Sequence, residues 1–393
     1  MLFRSNNWWT TTTTPRPAGD YRTSAAFNPA APATPPVTSL NTAFAGVPAN
    51  GTWTLRFRDG GSLDTGAISA ANLTITAAPS AVQHVVDFDG NGKTDYAVVR
   101  NTGGGSGGQI TWFKLFNGTG TNNEDKWGIS TDFFVPNDYD GDGKTDVSVW
   151  RPGTQGVWYT LNSATGTVSV TNWGQTGDDP TVVGDYTGDG KADLAIYRAG
   201  AAAGQQSYWW YLASSGPLAG VQCQVPFGQN GDFPAPGDYN GDGKADFVVQ
   251  RNAGGGQAAF WLGFGNGAGT YTSTSVVVWG TPTDVIVPGD YDGDGITDIA
   301  TIRGSGGQIQ WWIRPSTTGT PAVPTPIIWG ASATDFPTQG DYDGDGKTDV
   351  AIWRPSATPG ASAFWARGSN GGTTIGVAWG SNGDYPVANY NSH

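Results

Sequence analysis

Along most of this chain, short runs of alternating apolar and polar residues are divided by glycine-rich turns at a regular interval. Val350-Ala351-Ile352-Trp353-Arg354 alternates with the period of two that a half-buried strand requires. A Gly/Ser-rich turn follows, then an aromatic strand around Ala363-Phe364-Trp365, then Val377-Ala378-Trp379-Gly380. Ahead of this group stands a short apolar stretch, Phe336-Pro337-Thr338-Gln339. The same series of four recurs from Val82 onward. Four strands in about 50 residues is the size of one blade of a β-propeller. The expected fold is therefore all-β, a propeller of four-stranded blades over residues 81–393.

Several positions recur with the strands. The last strand ends in Trp-Gly or Phe-Gly, at Trp127, Trp173, Phe227, Trp279, Trp329 and Trp379. The third strand carries Trp112, Trp158, Trp210, Trp261, Trp312 and Trp365. Both rows are expected to wedge between blades, each ring burying ~150–250 Å². The second strand closes on Arg100, Arg151, Arg198, Arg251, Arg303 or Arg354, and an acid follows each last strand: Asp132, Asp178, Asp232, Asp284, Asp335 and Asp384. These two rows are expected to pair near the blade edge. Six full sets are present, and a seventh copy of the first strand runs from Asp384 to Tyr390. That copy either latches a sixfold ring or opens a seventh blade. Six is the favoured number, since a closed ring hides its strand edges.

Between the first and second strand of every unit lies the most specific signal. Asp341-Tyr342-Asp343-Gly344-Asp345-Gly346-Lys347-Thr348-Asp349 places carboxylates at positions one, three, five and nine, and glycines at four and six. Glycine reaches φ > 0 without steric cost and lets the loop fold back on itself. Acids converging on one point repel, by about 4 kcal/mol per pair at ~4 Å and an effective dielectric of ~20. A hard divalent cation resolves that repulsion, and Ca²⁺ takes ~6–8 such oxygens. The other copies begin at Asp87, Asp138, Asp185, Asp238 and Asp290. The expected side-chain ligands are Asp87, Asp89, Asn91 and Asp95; Asp138, Asp140, Asp142 and Asp146; Asp185, Thr187, Asp189 and Asp193; Asp238, Asn240, Asp242 and Asp246; Asp290, Asp292, Asp294 and Asp298; Asp341, Asp343, Asp345 and Asp349. The position-seven carbonyls of Lys93, Lys144, Lys191, Lys244, Ile296 and Lys347 are expected to add one oxygen each. Loops with Asn91, Thr187 or Asn240 hold one charge fewer and are expected to bind more weakly. An EF-hand is excluded, because its bidentate Glu at position twelve is here Val98, Val149, Ile196, Val249, Thr301 or Ile352.

Composition sharpens this picture. The net charge of −13 is concentrated in the six loops, so up to six bound Ca²⁺ would offset nearly all of it and nucleic acid is an unsuitable partner. The single cysteine, Cys223, allows no internal disulfide and leaves the stapling to metal. No apolar run is long enough to span a bilayer. The start, Met1-Leu2-Phe3-Arg4, lacks the apolar core of a secretory leader and reads as the edge of a fragment. Residues 1–38, rich in Thr, Pro and Ala, are expected to be a disordered or incomplete lead. Residues 39–80 carry strand-like stretches, Thr52 to Arg58 and Leu73 to Thr76.

Two resemblances follow. The run Phe44-Ala45-Gly46, Ala49 to Arg56, Asp64-Thr65-Gly66 and Leu73-Thr74-Ile75 resembles the C-terminal part of the P domain of proprotein convertases, which implies a partial β-sandwich. The loops and Trp-Gly strands closely resemble the FG-GAP/VCBS-type repeats of integrin α-like propellers and their bacterial relatives. That resemblance implies an extracellular or cell-surface location and structural calcium in each loop. It further implies roles in adhesion, in sugar binding, or as an appendage of secreted enzymes. The expected role is a monomeric calcium-stabilised binding or adhesion module, its partner a protein or glycan of a cell surface or matrix. The alternative is a lectin using exposed aromatics such as Trp209, Trp311 and Tyr159; a scaffold for a polysaccharide-active enzyme ranks lower. No catalysis is expected. The two histidines, His84 and His393, complete no Ser-His-Asp or Cys-His set. Few acids lie outside the repeated rows: Asp20, Asp59, Asp64, Glu124, Asp125 and Asp179. Of these, Glu124 and Asp125 are expected in a solvated turn.

Overall fold

The computed structural model describes residues 86–215, 218–317 and 325–387, together with a two-stranded pairing of Phe3–Arg4 with Arg22–Thr23. The chain divides into two compact units, Met1–Ala77 and Ala78–His393. The segment that resembles a P domain lies outside the described residues, as do His84 and His393.

The second unit is an all-β propeller of six antiparallel blades. Blade 1 is built from Tyr96–Asn101, Gln109–Leu115 and Asn122–Ile129, and its first strand is Tyr385–Pro386 from the far end of the chain. Blade 2 runs Phe133–Phe134, Val147–Arg151, Val157–Leu161, Val168–Asn172. Blade 3 has Leu194–Arg198, Gln206–Leu212 and Gln222–Gln229, and its first strand is reduced to one bridge, Asp179 with Tyr197. Blade 4 runs Phe233–Pro234, Phe247–Gly254, Gln257–Gly265, Tyr271–Val278. Blade 5 runs Val285–Ile286, Ile299–Ser305, Gln308–Arg314, Ile327–Ala331. Blade 6 runs Phe336–Pro337, Val350–Arg354, Ala363–Arg367, Thr374–Ala378. The seventh first strand is thus a latch and opens no further blade. Tyr385 pairs with Val99 and Pro386 with Val98.

The core is a set of clusters between neighbouring blades. Val98 and Tyr96 of blade 1, for example, pack with Trp353 and Phe364 of blade 6. The last-strand tryptophans do wedge as the sequence implies, and they also tie blades together. The indole N–H of Trp127 donates to the Tyr159 carbonyl of the next blade at 3.0 Å, Trp279 to Trp312 at 3.2 Å, Trp329 to Trp365 at 3.0 Å and Trp379 to Phe113 at 3.1 Å.

The third-strand row needs correction. Residues that face the core at equivalent register are Trp112, Trp158, Trp209, Phe260, Trp311 and Phe364, all fully buried. Trp210, Trp261, Trp312 and Trp365 are one residue further on and lie on the opposite face, where Trp261 and Trp365 are exposed. Trp209 and Trp311 are therefore core residues and no sugar platform. The cause is the strand's period of two, by which a slip of one residue exchanges faces. Glu124 and Asp125 are likewise in no turn; they belong to the fourth strand of blade 1, where Asp125 pairs with Lys114 at 2.5 Å.

The Arg and Asp rows meet six times. Arg151 pairs with Asp132, Arg198 with Asp178, Arg251 with Asp232, Arg303 with Asp284, Arg354 with Asp335 and Arg100 with Asp384. Each is bidentate, as a planar guanidinium and a carboxylate allow. The acid side chains are buried, and the five pairs within single blades hold the turn entering the first strand. The sixth joins residues from opposite ends of the propeller.

Candidate metal sites

Each acidic loop is a short excursion closed at its base by strand pairing, as between Gly340 and Asp349 or Asn137 and Asp146. Its position-two aromatic fixes it to the preceding strand. Tyr139, Tyr186, Tyr239, Tyr291 and Tyr342 donate their hydroxyls to the carbonyls of Val135, Val182, Ala235, Val287 and Thr338, at 2.7–3.1 Å. Burial raises the phenol pKa values of Tyr139, Tyr186, Tyr291 and Tyr342, so these hydroxyls stay protonated donors.

Within the loop, the position-one carboxylate gathers backbone N–H groups. In the sixth loop Asp341 accepts from Gly344 at 2.6 Å and from Gly346 at 2.9 Å. The other five loops repeat this. Positions four and six sit at φ between 74 and 85° in all six copies, which is why both are glycine. The position-nine acids, Asp95, Asp146, Asp193, Asp246, Asp298 and Asp349, are wholly buried. One oxygen of each accepts the N–H of position two, as Phe88 to Asp95 at 2.7 Å and Tyr342 to Asp349 at 2.9 Å. The other accepts an N–H from the end of the third strand or the turn after it: Asn117, Ser163, Ser214, Gly265, Ser316 and Ser369 respectively. The same turns bring hydroxyls to the other acids, with Ser163 on Asp142 at 3.0 Å, Ser369 on Asp345 at 2.7 Å, and Ser215, Ser316 and Thr317 on Asp189, Asp294 and Asp292. Neither the position-two aromatics nor these turn residues stood out in the sequence. The signal was available, since the aromatic recurs in all six loops.

The loops also touch one another around the ring. The N–H of position eight donates to the position-one carbonyl of the loop before it: Thr145 to Asp87, Ala192 to Asp138, Ala245 to Asp185, Thr297 to Asp238, Thr348 to Asp290 and Thr94 to Asp341, each at 2.6–2.7 Å. A Cβ on Gly141 would lie 2.9 Å from the Lys191 side chain of the following loop, so position four is doubly constrained.

Ligand-type oxygens lie within 4.8 Å of one another in four loops: Asp87, Asp89 and Asp95; Asp138, Asp140 and Asp146; Asp290, Asp292 and Asp294; Asp341, Asp343 and Asp349. The third and fourth loops are not gathered in this way. In the third, Thr187 replaces a carboxylate and its hydroxyl turns to Asp185 at 3.3 Å. In the fourth, Asp242 pairs with Lys244 at 3.3 Å, the one ion pair at a loop among the described residues. No other loop acid makes an ion pair among the described residues, and the Lys93 ammonium, which reaches the sixth loop, donates to the Asp343 carbonyl at 2.9 Å and to no carboxylate. Burial, and to a lesser degree the adjacent acids, pushes Asp95, Asp193 and Asp298 up to about 7, Asp246 to about 8, and Asp146 and Asp349 to about 6. The donor set passes the test for a hard divalent cation: it is all oxygen, preshaped by backbone N–H groups, and short of positive charge.

Residues 138–196, 238–301 and 290–352 match the model of the FG-GAP-like repeat. Each match starts at the first acid of a loop and reaches the second strand of the next blade, so the matched segments and the structural blades are offset but share the loop. No curated protein matches the chain. Among solved structures, a protein from Lactobacillus plantarum is similar at 11% identity over 75% of this chain and 100% of its own, with a TM-score of 0.38. AofleA from Arthrobotrys oligospora is similar at 11% identity over 79% and 96%, with a TM-score of 0.45. A prolyl endopeptidase is similar at 10% identity over 80% of this chain and 52% of its own, with a TM-score of 0.37.

Proposed function

We propose that this FG-GAP-like propeller binds Ca²⁺ in its acidic loops and serves as a non-catalytic binding or adhesion module outside the cell. The observation that carries the calcium reading is the buried position-nine acid, repeated six times, with both oxygens oriented by backbone N–H groups and other acids beside it. A carboxylate this desolvated needs either a proton or a cation. The ion would be held by positions one, three, five and nine, with the position-seven carbonyl as a further oxygen. The first, second, fifth and sixth loops are the strongest candidates, because their carboxylates already converge. Extracellular calcium is plentiful enough to fill even modest sites of ~10⁻⁴–10⁻³ M. The binding role is supported by economy of acids: the repeated ones are committed to the loops or to arginine, which leaves the scaffold to present surface.

The test is metal analysis of protein equilibrated with Ca²⁺, coupled to melting with and without chelator. Four to six calcium ions per chain and a sharply lower Tm in chelator are expected. Each site held at 100 times its Kd adds about 2.7 kcal/mol. A metal-free protein that melts identically in both buffers refutes the calcium reading.

A further inference from the structure

In a scaffold repeated six times, side chains that break the repeat and converge on one hollow answer to something other than folding. Blade 3 collects such departures. Opposite the paired arginine, the third strand carries Tyr208, whereas the other blades place Thr111, Val157, Ala259, Gln310 and Ala363 there. Blade 3 alone has its first strand reduced to a single bridge. That bridge is made by Asp179, where the other blades start with Phe133, Phe233, Val285, Phe336 and Tyr385. Tyr208 borders an open cavity of about 720 Å³ lined also by Gln175, Thr176, Asp178, Arg198 and Gln205, among others, and Asp179 adjoins it in sequence through Asp178.

We propose that this cavity binds a neutral, hydroxyl-rich ligand, a sugar residue of a glycan. The proposal rests on the binding-module reading and gives that module its site. The size lies in the range of small-ligand pockets. Its only charged groups among the described residues, Arg198 and Asp178, neutralise each other through bonds of 2.6 and 2.8 Å, so this lining offers no net charge to an ionic ligand. Arg198 is a third exposed and keeps N–H donors beyond those two bonds. Gln175, Gln205 and Tyr208 make no side-chain hydrogen bond among the described residues. Two amides that both donate and accept, beside one flat aromatic ring with a hydroxyl, suit vicinal hydroxyls and the C–H face of a pyranose.

The test uses the full chain in Ca²⁺ on a printed panel of neutral oligosaccharides of hexose, deoxyhexose and N-acetylhexosamine, with sialylated glycans as the acidic comparison. Saturable binding to at least one neutral glycan is expected, weakened at least tenfold in both Tyr208→Ala and Gln205→Ala. Alanine is what blades 4 and 6 already carry at the Tyr208 position, and Gln205 is exposed, so neither change should unfold the blade. No neutral glycan bound above the sialylated background overturns the proposal, and so does binding that both variants retain in full. Loss of Tm in chelator alongside an empty panel would remove the sugar site and leave the calcium reading standing. Glycan binding without any calcium effect would do the reverse.

Discussion

Asp384→Ala should open the ring, and its cost can be worked from the contacts. The Asp384 side chain is fully buried, bonds Arg100 at 2.6 and 2.8 Å and accepts the Ser381 N–H at 2.7 Å. Removing one partner of a buried pair costs ~3–5 kcal/mol. Arg100 is 37% exposed and can turn to water, which discounts that figure to about 2–3 kcal/mol. The matched control is Asp335→Ala, since Asp335 is equally buried and pairs with Arg354 at 2.6 Å, but only 19 positions away. Arg100 and Asp384 are 284 apart, and the strand that Asp384 introduces contributes just two residues to blade 1. Both variants should lose Tm by roughly 4–12 °C at ~2–4 °C per kcal/mol. Only Asp384→Ala should also expose the strand edge at Val98 and Val99. The assay is thermal unfolding by circular dichroism with limited proteolysis followed by mass spectrometry. Early release of the C-terminal residues is expected in Asp384→Ala and in neither the parent nor the control. An Asp384→Ala protein that melts within a degree of the parent with an uncut terminus would refute the latch.

Three further outcomes follow from the loops. In chelator, the position-nine carboxyls have folded pKa values of about 6–8 against 3.8 when unfolded, so the folded state binds more protons and its stability falls as pH rises from 4 to 8. The slope is at most about 1.4 kcal/mol per pH unit per group. Metal-free protein should therefore melt higher at pH 5 than at pH 8, while calcium affinity weakens toward pH 5; melting in chelator that is flat across this range would contradict it. Tyr342→Phe removes a 2.8 Å bond to the Thr338 carbonyl and should cost about 1–3 kcal/mol in denaturant unfolding, with the ring packing retained; a cost below a few tenths would show the hydroxyl to be idle. Gly141→Ala places a Cβ at φ 80° and 2.9 Å from Lys191, and should lower Tm and calcium affinity together, whereas unchanged titration would show that loop to be slack.

What the sequence revealed, and what it hid, divides by distance along the chain. The acidic loops were legible because nine consecutive residues carry the whole pattern. The Arg and Asp rows were legible as rows because each residue recurs once in every unit. The third-strand register was misread where aromatics come in doublets, Trp209-Trp210, Phe260-Trp261, Trp311-Trp312 and Phe364-Trp365. A doublet offers a large ring to both faces of the sheet, so aligning on Trp selects the outward residue wherever the core residue is Phe. The reach of Ser163, Ser316 or Ser369 into the loop of its own blade depends on how a hairpin folds over, and serine in a turn is too common to announce it. The departures of blade 3 became meaningful only when Tyr208 and Gln175 met across a hollow.

The Arg–Asp clasp that seals the circle is chemically the same as the five inside it. That ion pair does not distinguish the seam inside blade 1 from the matching place in the other blades. A gene rearranged to begin before Phe233 and end after Asp232, with the old ends spliced across the latch, should yield the same rotor with its gap moved almost three blades round.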